Sequence, residues 1–116
     1  MAQLSAHQTS LLDSARTGHL ATADAEGRPH VIPVCFASGG GFIYSVLDQK
    51  PKRAALTRLR RVRNILANPQ VSLVVDHYDE DWSHLWYILV SGHADLLLEG
   101  DERTAAIVLL RAKYQQ

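Results

Sequence analysis

A dense run of positive charge is the feature of the sequence best suited to chemistry. Between Gln49 and Val75 the chain contains no Asp or Glu and seven basic residues: Lys50, Lys52, Arg53, Arg58, Arg60, Arg61 and Arg63. Basic side chains form charge-assisted hydrogen bonds to phosphate, and amides at a helix N-terminus add further donors. The run predicts a phosphate-binding site, with a solvated helix face as the alternative. Nucleic acid is disfavoured as a partner, because the net charge is zero and the basic run has no aromatic residue for stacking.

An acidic and aromatic segment follows at residues 76–84, with four acids and two histidines among nine residues. Its spacing matches neither a calcium-binding EF-hand loop nor a zinc pattern, so we predict no metal site there. A polar turn between two strands is the simplest interpretation. The alternative is a loop that contacts a ligand, with Trp82 or Trp86 as the stacking surface.

Two single residues complete the inventory of reactive side chains. His30 has no obvious Asp partner nearby in sequence and is interpreted as a structural histidine. Cys35 is the only cysteine, so it forms no internal disulfide. It has no glycine-rich elbow around it and is expected to be a buried small hydrophobic residue. Because no acid–base pair or nucleophile stands out, a protein with a phosphate site would take its chemistry from a bound cofactor.

The elements that position these residues belong to one domain, residues 1–116. The chain is 47% hydrophobic and 21% charged, which is typical of globular proteins. No apolar run approaches the ~20 residues of a membrane helix. No signal peptide is evident at the N-terminus either, so we expect a cytoplasmic protein with no membrane partner.

Apolar periodicity predicts the order helix, three strands, helix, two strands, helix. The helices are expected near residues 4–16, 56–66 and 101–113, and the strands near 19–23, 28–37, 42–47, 71–78 and 85–94. The strand at 28–37 has apolar side chains on both sides, which predicts burial on both faces. Pro33 within it lacks an N–H, so it should lie at a sheet edge or beside a ligand. Hairpin connections, one of them through Gly39-Gly40-Gly41, favour a small antiparallel barrel with outer helices, which dimerisation would complete.

Several stretches in order resemble the pyridoxamine 5′-phosphate oxidase-like split β-barrel family. They are HLATAD at residues 19–24, GRPHVIPV at 27–34, LDQKPKR at 47–53, RVRNI at 61–65 and NP at 68–69. The segment at residues 76–82, with Leu85 and Trp86, is similar to an actinobacterial branch of probable F420-dependent enzymes. The resemblance runs from about residue 11 to residue 114.

This resemblance implies a mainly β split barrel with flanking helices that forms a homodimer, with cofactor sites at the dimer interface. The cofactor would be coenzyme F420, with FMN as the alternative. The activity would be hydride transfer between the deazaflavin and an unidentified small organic substrate. The alternatives are an FMN-dependent oxidoreductase and a non-catalytic dimer that binds a flavin or haem.

The resemblance also implies roles for particular residues. The phosphate side of the cofactor would be held by the Ser45 hydroxyl and by five basic residues: Lys50, Lys52, Arg53, Arg61 and Arg63. Val34 and Cys35 would lie beside the ring, and further candidates for contact with the ring or substrate are His30, Trp82 and Trp86. Family members continue past the Lys113-Tyr114 position into a further strand, which this chain is expected to lack.

Overall fold

A computed structural model describes residues 4–46 and 58–115 of the chain. The described elements are α1 (Ala6–Ser14), β1 (Gly18–Ala23), β2 (Pro29–Val34), β3 (Phe36–Gly39), β4 (Phe42–Ser45), α2 (Arg60–Ala67), β5 (Gln70–His77), a 3₁₀ helix (Trp82–His84), β6 (Trp86–His93) and α3 (Asp101–Lys113). The predicted strand at 28–37 is interrupted at Cys35, so the described residues contain six strands instead of five. The other predicted strands and helices are present within a few residues of their expected ends.

Residues at the ends of the two terminal helices, α1 and α3, stabilise these helices. The Ser5 side chain accepts the Gln8 N–H at 3.1 Å, and the Gln8 side chain accepts the Ser5 N–H at 2.9 Å, so a capping box starts α1. Helix α3 carries acids in its first turn and basic residues in its last turn. Negative charge at the N-terminus and positive charge at the C-terminus both interact favourably with the helix dipole.

The strands form two antiparallel sheets. One has four strands in the order β2-β1-β5-β6, and the other is the β3-β4 hairpin. Cys35 lies between β2 and β3, where the chain passes from the first sheet to the second. Pro33 lies on β2, an edge strand among the described strands, as its missing N–H predicted. The result is the expected mainly β antiparallel barrel, split into two sheets, with helices outside.

Glycines allow the β3-β4 hairpin to turn tightly and to pack closely against α3. Gly40 and Gly41 have φ values of 61° and 84°, a region that other residues rarely adopt. At Gly39, a Cβ atom would stand 2.7 Å from the Leu109 side chain of α3. The glycine run is therefore a hairpin turn, as predicted, and it also lets the hairpin contact the last helix.

The hydrophobic core lies between the sheets and α1. Its buried cluster consists of Leu12, Val34, Phe36, Leu73 and Val75. Partly buried apolar residues pack around this cluster from the neighbouring strands, among them Leu20, Ile32, Trp86, Ile88 and Val90. Helix α2 adds the buried side chains of Val62 and Ile65.

The four-stranded sheet has an inner face toward this core and an opposite face that we call the outer face. Cross-strand pairing places its members on one side: His19, Ala21, Val31, Pro33, Ser72, Val74, Tyr87, Leu89 and Ser91. Val31 and Leu89 are each 60% exposed and Tyr87 is 73% exposed. Burial of β2 on both faces was therefore a wrong expectation for the single protomer, because nothing in the described chain covers the outer face.

None of the described helices is long and apolar enough to cross a membrane.

Candidate functional site

The backbone at Cys35-Phe36, which we call the corner, is held by side-chain hydroxyls. The Ser45 hydroxyl donates to the Cys35 carbonyl at 2.8 Å. The Tyr114 hydroxyl accepts the Phe36 N–H at 3.0 Å and donates toward the Phe36 carbonyl at the same distance. Val34 is 8% exposed and Phe36 is fully buried, so an apolar wall lies behind the corner.

Cys35 itself is exposed, and the prediction that it is a buried small hydrophobic residue was wrong. Its two neighbours, Val34 and Phe36, both turn into the core. Because successive side chains of an extended chain point to opposite sides, the thiol must point outward. The structure thus leaves Cys35 exposed at the place where the resemblance puts a cofactor ring.

Ser45 is also exposed, but its hydroxyl proton is committed to the Cys35 carbonyl. Phosphate oxygens are acceptors, and a serine hydroxyl has one proton to donate. Ser45 can therefore donate to a phosphate only by releasing the corner. The predicted contact between Ser45 and the phosphate stays a prediction with this structural condition attached.

The basic residues of α2 divide between two sides of the helix. Arg61 is partly buried beside the buried residues Val62 and Ile65, whereas Arg63 is exposed. Two residues along a helix are separated by about 200°, so these arginines point in nearly opposite directions. Arg63 Nη1 donates to the Arg58 carbonyl at 2.8 Å. The other predicted phosphate ligands, Lys50, Lys52 and Arg53, lie outside the described residues.

A surface pocket of about 420 Å³ lies on the Arg63 side of α2. It is lined by Arg60, Arg63, Asn64 and Ala67 of the helix and by the turn residues Asp24, Ala25, Glu26 and Arg28. The Arg28 guanidinium is 2.7 Å from Asp24, and this hydrogen bond lowers the Asp24 pKa to about 2. The pocket therefore carries charges of both signs. It adjoins the start of β2, roughly 20 Å along the strand from the corner.

His30 faces the inner side of the sheet with one nitrogen unpaired. The register places it opposite Thr22, whose hydroxyl accepts the buried Asn64 side chain at 3.0 Å. His30 Nδ1 is buried and has no hydrogen-bond partner among the described residues. Buried polar atoms are normally bonded, so this nitrogen is a place where a ligand could bond. The interpretation of His30 as purely structural leaves the unpaired nitrogen unexplained.

The segment after β5 is the polar turn that the sequence predicted. Asp79 accepts the Asp81 N–H at 2.8 Å, and Asp81 accepts the Ser83 hydroxyl at 2.7 Å. Hydrogen bonds from Ser83 lower the Asp81 pKa. Among residues 4–46 and 58–115, no group of three or more metal-ligating side chains has the geometry to hold an ion.

The two tryptophans of this region have different environments. Trp82 is 73% exposed on the 3₁₀ helix, whereas Trp86 packs against the core. The Trp86 ring also stacks on His77, with the ring centroids 6.2 Å apart. Trp82 thus has an exposed ring face for a ligand. The stacking role that the sequence predicted for Trp82 or Trp86 therefore suits Trp82 better than Trp86.

Sequence reasoning gave no role to Lys113 and Tyr114. Lys113 Nζ donates to the Leu12 carbonyl at 3.1 Å and lies 3.8 Å from the centroid of the Phe36 ring. Burial lowers the Lys113 pKa and raises that of the Tyr114 hydroxyl. Their partners are 101 and 78 residues away in sequence, so no local pattern could have revealed these contacts.

Solved structures share this fold. The haem storage protein HutZ from Vibrio cholerae matches with a TM-score of 0.74 and 20% identity, over 97% of this chain and 77% of that one. An F420 reductase matches with a TM-score of 0.65 and 30% identity, over 90% of this chain and 74% of that one. An FAD-binding protein from Mesorhizobium loti matches with a TM-score of 0.63 and 25% identity, over 94% and 72%. No curated protein sequence matches significantly.

The split barrel and these likenesses define a fold that binds flavin-type cofactors. Residues 4–116 match the family described as pyridoxamine 5′-phosphate oxidase. The chain therefore belongs to the pyridoxamine 5′-phosphate oxidase family, as its sequence motifs indicated.

Proposed function

We propose that this protein is an oxidoreductase that uses coenzyme F420 to transfer hydride to or from a small organic substrate. The observation that carries the proposal is the 30% identity to an F420 reductase over 90% of this chain. Family membership supports a flavin-type cofactor, but one fold can host several functions. The acid-free run of seven basic residues favours F420, whose anionic oligoglutamate tail needs a longer basic surface than FMN.

We expect the cofactor to lie with its ring at the corner and its anionic end at the basic run. Val34 and Cys35 would border the ring at the corner, and Trp82 has an exposed ring for stacking. Arg61 would hold the anionic end together with Lys50, Lys52 and Arg53. The unpaired Nδ1 of His30 lies partway along β2 and offers a further polar contact.

When bound, the deazaflavin supplies the hydride chemistry. The protein's own residues then have to bind and orient two reactants and exclude water. The apolar wall of Val34 and Phe36 suits the exclusion of water at the corner. We assign no catalytic residue.

A homodimer is part of the proposal. The outer face exposes Val31 on one edge strand and Tyr87 and Leu89 on the other, and exposed apolar surface of this kind marks interfaces. A second copy is the proposed occupant, because the net charge of zero gives two copies no overall repulsion. A sheet face that meets its own copy forms a closed, two-fold interface.

The proposal is tested by fluorescence titration of the purified protein with F420 and with FMN, at low and moderate salt. We expect tighter and more salt-sensitive binding of F420. Arg61→Gln should weaken F420 binding by about tenfold or more, because it removes a charge-assisted bond. Arg60→Gln is the matched control, since Arg60 is an exposed arginine of the same helix.

Each contrary result has a definite meaning. Preference for FMN would move the protein to the flavin-dependent alternative. Equal losses with Arg61→Gln and Arg60→Gln would contradict the role given to Arg61. A bound cofactor that no candidate substrate oxidises or reduces would favour the non-catalytic alternative. The structural similarity to a haem storage protein is the reason for including that alternative. Binding of neither cofactor would overturn the proposal.

A further inference from the structure

We propose that Tyr114 is a positioning residue that fixes the corner against the cofactor ring. The inference rests on the proposed function, because that function places the ring beside Val34 and Cys35. Tyr114 follows α3, far from the basic run in sequence. Its hydroxyl nevertheless reaches the backbone that would border the ring.

Tyr114 satisfies the backbone of the corner where no strand does. The chain changes sheet at Cys35, and Phe36 bonds both of its backbone groups to the Tyr114 hydroxyl. A tyrosine hydroxyl can accept one hydrogen bond and donate one, which suits a neighbouring N–H and C=O. Tyr114 therefore supplies here what a neighbouring strand supplies elsewhere in a sheet.

Arg16 holds the Tyr114 side chain in place. Tyr114 Oη also lies 2.8 Å from the Arg16 carbonyl, so its single proton is shared between that carbonyl and the one of Phe36. The Arg16 guanidinium lies 4.7 Å from the Tyr114 ring centroid, and Arg16 Nη1 donates to the Lys113 carbonyl at 3.0 Å. Arg16 thus holds the aromatic ring in place without using the hydroxyl. A mutation that removes only the hydroxyl should therefore leave the ring where it is.

Apart from Tyr114, one side-chain hydroxyl is described in contact with the corner backbone. The Ser45 hydroxyl bonds the Cys35 carbonyl, but Ser45 itself is exposed and near the end of the described part of the hairpin. Tyr114 is partly buried and is also held by Arg16, which precedes β1. Loss of its hydroxyl would leave the partly buried N–H of Phe36 without a partner and would free the corner to shift.

The test compares Tyr114→Phe with two control variants. Tyr114→Phe keeps the aromatic ring and removes only the hydroxyl. Tyr44→Phe removes a hydroxyl that bonds Glu102, from the same hairpin and toward the same helix. Val75→Ala weakens the buried core without touching a backbone group of the corner.

Two measurements are made on each variant. Hydrogen exchange in the cofactor-free protein should be about tenfold faster at the Phe36 amide in Tyr114→Phe, because its partner is lost. Titration should show about tenfold weaker binding of F420 and a shifted emission maximum of the bound cofactor. Neither control should produce the emission shift, and Tyr44→Phe should leave the affinity unchanged.

Unchanged exchange at Phe36 in Tyr114→Phe would overturn the inference, as would unchanged affinity together with unchanged emission. The same loss of affinity in Val75→Ala, with no emission shift in Tyr114→Phe, would reduce Tyr114 to a general contribution to stability and also overturn it. Failure of the unmodified protein to bind F420 or FMN would contradict the proposed function instead. The exchange data would then still decide whether Tyr114 fixes the corner.

Discussion

The inner and outer faces of the four-stranded sheet both carry large apolar residues, but these residues have different surroundings. On the inner face, Leu73 and Val75 are buried under α1 and the hairpin, with exposures of 6% and 0%. On the outer face, Leu89 and Val31 are each 60% exposed. The inner face stabilises the protomer, whereas no described residue covers the outer face, which would gain comparable burial from a second molecule.

The type of a residue alone therefore does not show whether its side of the strand is covered. Leu73 and Leu89 are the same residue type on adjacent strands, and Val74, the chain neighbour of Leu73, pairs directly with Leu89. Alternation alone places them on opposite sides. The free energy of folding and the free energy of association should therefore be separable by matched substitutions at these two leucines.

The largest expected effect is on the inner face. Leu73→Ala should lower the free energy of unfolding by about 2–5 kcal/mol, because it removes packed atoms and leaves a cavity in the core. Urea denaturation at several protein concentrations measures this loss, which should appear at all of them. Leu89→Ala is the matched control and should shift the midpoint only where the protein is dimeric. Equal losses of unfolding free energy in Leu73→Ala and Leu89→Ala at all protein concentrations would contradict the difference between the two faces.

The second effect is on association. Leu89→Lys should raise the dimer Kd by at least about a hundredfold, because a two-fold interface loses the same apolar contact twice and gains two buried charges. Sedimentation velocity measures the dissociation, and circular dichroism checks that the protomer stays folded. Ser91→Lys on the same face tests whether the apolar contact itself matters. A variant Leu89→Lys that remains dimeric would show that the outer face is not the interface.

The smallest effect lies at the turn that joins β1 and β2, beyond both faces. Asp24→Asn should remove a contribution to stability that depends on pH. The hydrogen bond from Arg28 lowers the folded-state pKa of Asp24 to about 2, below its ordinary value of 3.8. The contribution is therefore complete above about pH 4 and is lost as the pH falls through 2.

Urea midpoints of the unmodified protein and of Asp24→Asn, measured from pH 6 down to pH 2, test this expectation. The difference between them should be constant down to about pH 4 and then shrink. Glu26→Gln is the control, since Glu26 makes only a looser contact of 3.5 Å with the same arginine. A difference that persists at pH 2 would contradict the Asp24 assignment.

Much of the fold could be predicted because its signals are local. The capping residues of α1, the glycine turn of the hairpin and the apolar period of α3 each lie within one element. The break at Cys35 has no such signal. The chain there continues in extended conformation, and only the partners of β2 and β3 show that they belong to different sheets.

The candidate site was predictable only in part for the same reason. Helical spacing could have separated Arg61 from Arg63, since that relation is set by the helix itself. The unpaired nitrogen of His30 and the contacts of Tyr114 depend on elements that are distant in sequence. Exposure of Cys35 likewise follows from the two sheets that turn its neighbours inward, and a single strand does not reveal it.

The two prolines of β2 have a further consequence for how this protein can polymerise. Pro29 and Pro33 are four residues apart on β2, an edge strand among those that the structure describes, so both withhold a backbone donor from the same side of it. An approaching strand would find gaps in the ladder it needs to extend. Growth of the sheet from copy to copy into a fibre is thereby blocked at this edge. The outer face and the β6 edge keep no such protection among the described strands, and the proposed dimer uses the outer face.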